Sequence, residues 1–182
     1  MNTPEHPIPP ASAATATNAL GATGVKPFRF PAQPCEWKIV PLRECTSPDD
    51  MHDCDHPNKV AEYWNRHIPT HPYFNPECEC MVVLMLNTRR RVKGHYMVSI
   101  GTMDSVLIHP REIFRLAIMA SSHSIVLVHN HPSGEPSPSE ADIQITRELM
   151  RAGQLLKIEV LDHVIIGHKN RASLRELGYC TV

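Results

Sequence analysis

The sequence predicts an α/β fold, a central mixed sheet flanked by helices, from the order of its periodic segments and the place of one polar loop among them. Short apolar runs at 81–86, 124–129 and 158–166 alternate with stretches of helical period at 110–121 and 139–156. Strands and helices that interleave in this way pack as helices on a sheet. The loop, residues 129–142 with the sequence HNHPSGEPSPSEAD, joins a strand end to a helix start and carries most of the chain's chemistry.

Taken in order, residues 1–27 are rich in Pro, Ala and Thr, with no Lys or Arg before Lys26 and no apolar h-region. They are expected to be a disordered tail, not a signal peptide. Residues 28–73 are expected to be an extension packing on the main domain at 74–182. Within the extension, 37–42 reads as a short strand and 58–66 as a short amphipathic helix capped by Asn58. The strand at 81–86 leads through a polar connection at 87–94 to a second strand at 95–100, a hairpin. Pro110 starts the next helix, with Glu112 in its first turn, where a carboxylate offsets the helix dipole. The run at 124–128 is β-branched and bounded by turn residues, the mark of a buried strand, and Ser139 is the natural N-cap of the helix that follows. No internal repeat is present.

Composition excludes some classes. With 182 residues, 42% of them hydrophobic, the chain can bury a sizeable core. It has no apolar run near the ~18 residues that a membrane span needs. A cytoplasmic location is expected, with six cysteines reduced in the absence of an export signal. A net charge of −1 gives little non-specific attraction for phosphates. Arg89, Arg90, Arg91 and Lys93 could make a small phosphate-contacting patch, though such a run is more often a solvated hairpin tip.

The loop at 129–142 reads as a zinc site. Residues two apart in a strand share a face and lie roughly 6.5 Å apart along the chain. His129 and His131 therefore leave the strand on one side, within reach of a single ion, while Asn130 faces the other way. Asp142, three residues after Ser139, falls in the first helical turn, where its carboxylate can turn back to the histidines. Taken singly, two strand-end histidines could be solvated polar groups, and Ser139 with Asp142 a capping pair. Their arrival together within fourteen residues favours a metal. Two nitrogens and one oxygen leave a fourth tetrahedral position open, the pattern of catalytic zinc. Cys45, His52, Cys54, His56, Cys78 and Cys80 are further soft ligands, but their spacing fits no ordinary finger or ribbon, and scattered thiols and surface histidines explain them better.

His129, His131, Ser139 and Asp142 also match the JAMM motif, and residues 74–180 resemble the RadC-like branch of the JAB/MPN metalloproteases. The HNHPSG and PSxxD wording, Gly101 with Thr102, the start of the helix at 109–114 and the stretch 161–167 carry the likeness. The resemblance implies an MPN/JAB-like, cytidine-deaminase-like fold, zinc held by His129, His131 and Asp142, and hydrolysis of amide or isopeptide bonds in a peptide or protein substrate. It places the general base at Glu79, ahead of the strand at 81–86, and gives Ser139 a hydrogen bond to the oxyanion. Cys80 and Met81 depart from the His-aromatic pair that usually follows this glutamate; Glu77, on the same expected strand face, and Glu112 are the other candidates.

Two other classes compete with a peptidase. The RadC-like branch carries a DNA-repair label, yet residues 1–70 lack the paired Gly-turn helices of a helix-hairpin-helix unit, so direct duplex binding by this chain is not expected. A non-catalytic scaffold is the second, and the presence of every metal ligand speaks against it.

Overall fold

The computed structural model describes residues 52–101 and 108–181. The tail at 1–27, the strand expected at 37–42, Cys45 and Thr102 lie outside them. The elements are α1 (Pro57–His67), β1 (Cys80–Leu86), β2 (Val92–Ile100), α2 (Pro110–Met119), β3 (Ser124–Asn130), α3 (Glu140–Leu156), β4 (Glu159–Ile166) and β5 (Arg171–Ser173). The five strands form one sheet in the order β2-β1-β3-β4-β5. Only the β3–β4 pair is parallel, because α3 makes the crossover between them. β1 pairs antiparallel with β2 and β3, and β5 antiparallel with β4. The fold is the expected α/β class with a mixed sheet.

Both faces of the sheet are covered, which is why β1 and β3 read as unbroken apolar runs. Alternation sorts their side chains. Val82, Leu84, Leu86, Val126 and Val128 pack with Val60, Tyr63 and Trp64 of α1. Met81, Val83, Ile125 and Leu127 pack with Ile113, Phe114 and Ala117 of α2 and Leu149 of α3. Helix α1 thus shares its core with the sheet.

Several local expectations change. The cap of α1 is His56, whose side chain accepts from the Asn58 amide, and Pro57 takes the first helical position; the Asn58 side chain instead accepts from Arg171. The hairpin connection is shorter than 87–94, because Asn87 Oδ1 accepts from the amides of Arg89 and Arg91 and closes the turn early. Lys93 therefore lies in β2, not at the tip, and its ammonium donates to the carbonyls of Ala120 and Ser121 at the end of α2. Glu77 is in an exposed turn before β1, not on the strand, its amide held by Asn75 Oδ1. Strand β5 has no counterpart in the sequence reading; three residues are too few for a periodic signal.

Candidate metal centre

Strand alternation brings the ligands together. Ile125 and Leu127 point to the side of α2 and α3, so His129 follows them, and His131 just beyond β3 repeats the direction. Their Nε2 atoms are 3.0 Å apart. Asp142 Oδ1 lies 3.3 Å from His129 Nε2, and Oδ2 lies 3.6 Å from His131 Nε2. Ligand atoms of the three residues all fall within 4.8 Å of one another, and among the described residues no other His, Cys, Asp or Glu group has that geometry. Cys54, Cys78 and Cys80 are free thiols, and burial pushes the Cys54 thiol up to about 12.

Counting protons tests whether these residues fit a cation. The Thr146 hydroxyl donates to the Asp142 carbonyl at 2.5 Å, which leaves its oxygen to accept from Nδ1–H of His163 at 2.6 Å. His163 Nε2 then bears a lone pair and accepts from Nδ1–H of His129 at 2.8 Å. That fixes His129 with a bare Nε2. His131 Nδ1 faces the Glu135 carbonyl at 2.8 Å, and a carbonyl only accepts, so in the neutral ring its Nε2 is bare as well. With both rings neutral, two nitrogen lone pairs and a carboxylate converge. Such a cluster favours a cation, and its N, N, O donors could hold a metal ion.

The titration behaviour agrees. Burial holds His129 well below the usual histidine range, helped by the His163 charge. His131 is held above its ordinary value by its hydrogen bond to Asp142, against burial, with further help from the Glu135 carbonyl and from the charges of Asp142 and Glu79. Burial alone would raise the Asp142 carboxyl, but His131, His129 and Ser139 together hold it far below the usual carboxylate range.

Ser139 caps α3 in a reciprocal capping box with Asp142. Its hydroxyl accepts from the Asp142 amide at 3.2 Å and donates to Asp142 Oδ2 at 2.6 Å. In this arrangement its proton is committed to the carboxylate. The loop between the ligands is pinned at Gly134, whose φ of 84° suits glycine and where a Cβ would stand 2.4 Å from His168 Nδ1.

Glu79 is half-buried, one residue before β1, and its carbonyl accepts from the Gly101 amide at 2.8 Å. It lies two residues before Met81, which pairs with His129 in the antiparallel ladder. Its charge is the smallest of the influences that raise His131. Glu112 sits in the first turn of α2, ion-paired at 3.5 Å to both Arg111 and Arg115.

The sequence reading missed His163, Thr146 and the tie made by Asn130. A signal was there: an Asp and a His inside the apolar run of β4, since buried polar groups need partners. Asp162 meets that need with Ser173 and the amides of His163 and Arg175.

Residues 54–179 match the RadC-like JAB domain. This chain belongs to that family. A UPF0758 protein of Chlorobaculum parvum is 50% identical over 117 residues, 64% of this chain and 50% of that protein. One from Methanosarcina mazei is 39% identical over 139 residues, 76% of this chain and 55% of its own. One from Chlorobium chlorochromatii is 48% identical over 119 residues, 65% and 51% of the two chains. The RadC-like JAB chain thus spans about half the length of these curated relatives. Among its described residues, no helix is long and apolar enough to cross a membrane.

Proposed function

We propose that this RadC-like JAB domain is a zinc-dependent hydrolase of amide bonds, in peptide or isopeptide linkage. The supporting observation is the convergence of Nε2 of His129 and Nε2 of His131 on the Asp142 carboxylate. Zinc in such a site supplies Lewis acidity and brings the pKa of water from about 15.7 down to about 7. His129, His131 and Asp142 would hold it. Glu79, two residues before Met81, takes the proton from the attacking water and returns it to the leaving amine. Ser139 orients the Asp142 carboxylate; by rotating its O–H it donates to the developing oxyanion, a contact worth about 3 kcal/mol.

The free thiols of Cys54, Cys78, Cys80 and Cys180 suit a reducing cytoplasm. The test is to load the full chain with zinc, measure its metal content, and screen fluorogenic peptide amides and Lys ε-isopeptides. Turnover that disappears on chelation and returns with zinc is the expected result. One zinc per chain with no turnover on any member of the panel would favour a scaffold.

A further inference from the structure

We infer that Asn130 is a positioning residue for Glu79, a role that rests on the hydrolase reading. Asn130 is 7% exposed and lies between the two histidine ligands, yet it takes no part in the metal cluster. Its Oδ1 accepts from the Cys80 amide at 2.9 Å, and its Nδ2 donates to the Cys78 carbonyl at 3.0 Å. The amide orientation has no alternative, because an N–H must meet the oxygen and a carbonyl must meet the nitrogen. The two bonds grip the backbone on either side of Glu79. They also stand where the strand ladder ends: β1 and β3 pair as far as Met81 with His129, and at the next step the Asn130 side chain takes over.

The consequence is a rigid link from ligand to base. His129 is held by His163 and His131 by the Glu135 carbonyl, Asn130 is fixed by being between them, and the 78–80 backbone is fixed to Asn130. Gly101 completes the hold by donating to the Glu79 carbonyl. Glu79 needs such a hold because it precedes β1, whose pairing with β3 stops at Met81. A base displaced by about 1 Å can cost about 100-fold in rate.

Asn130→Ala removes both bonds, while Asn130→Asp keeps the side-chain volume and the acceptor for Cys80 but loses the donor to Cys78. Both are compared with the zinc-loaded full chain on the fastest-cleaved peptide amide or isopeptide of the panel. The expected result is a kcat loss of about 100-fold in Asn130→Ala, with KM little changed and one zinc per chain retained. Amide exchange at Cys80 should accelerate about tenfold, the worth of one net hydrogen bond. Introduced into Glu79→Gln, Asn130→Ala should cause no further loss, since it acts only through the absent base. Losses that multiply, loss of zinc in the volume-conserving Asn130→Asp variant, or unchanged kcat with zinc bound would each overturn the inference. If the wild-type chain cleaves nothing, the hydrolase reading fails on its own, and an unchanged Cys80 exchange rate then separately refutes the clamp.

Discussion

His129 Nδ1 lies 2.8 Å from His163 Nε2, so a candidate ligand histidine gives its one ring proton to another buried histidine. Metal-bound histidines more often make this bond to a carboxylate, a carbonyl or water. Here the chain of protons continues through Thr146 to the Asp142 carbonyl, so it begins at one ligand and ends on the helix turn of another. Tautomer and ligand geometry are set by the same bonds.

His163→Gln should therefore weaken zinc binding by about 10- to 100-fold, the usual cost of losing such a partner. Competition with a chromophoric chelator measures it. Wild-type affinity in the variant would remove the relay from the account of the site.

The same histidine makes the metal-free chain sensitive to acid. Burial lowers the folded pKa of His163 to about 4, while the unfolded chain protonates near ~6.5. The unfolded state thus binds the proton first as pH falls, and stability fully present above ~6.5 is lost towards pH 4, by about 3 kcal/mol. His129, also depressed, acts in the same direction. His131, raised, opposes it: its contribution is present below ~6.5 and is lost as pH rises through its folded value. Asp142, depressed, contributes above ~3.9 and loses that contribution only at lower pH. Urea unfolding in chelator should show lower stability at pH 5 than at pH 7, with a smaller difference in His163→Gln. Equal pH dependence in the two chains would count against this assignment.

One zinc per chain is expected, and His131→Ala should remove most of it, because the lone pair opposite His129 disappears. Elemental analysis decides: full occupancy in the variant would rule out the assigned ligand set.

Glu79→Gln should keep its zinc and lose about two to four orders of magnitude in turnover, the range of general acid-base contributions. Glu112→Gln should stay near wild type, since its carboxylate is engaged by Arg111 and Arg115. The reverse pattern in steady-state kinetics would move the base to α2.

Duplex DNA should bind weakly. Even if Arg89, Arg90, Arg91 and Lys93 all reached phosphates, log affinity against log salt should have a slope no steeper than about −3.6. Lys93 is already engaged with the end of α2, which lowers the count. A steeper slope in a fluorescence titration, unchanged when those four residues are neutralised, would promote a nucleic-acid role.

The sequence by itself determined the α/β class, the limits of β3 and α3 to within a residue or two, and the closeness of His129, His131 and Asp142. Those features are local: strand period fixes which histidines share a face, and a capping box fixes the first turn of a helix. Only the tertiary structure decided what lies across the sheet. The His163 and Thr146 relay spans 34 and 17 residues in its two steps, and the Asn130 tie spans 50 and 52. Strand order and register create these contacts, and neither is written in any local period. The same reason governs Glu79 and Glu77, which differ only by where β1 begins, a boundary set by its pairing with β2 and by the Asn130 side chain.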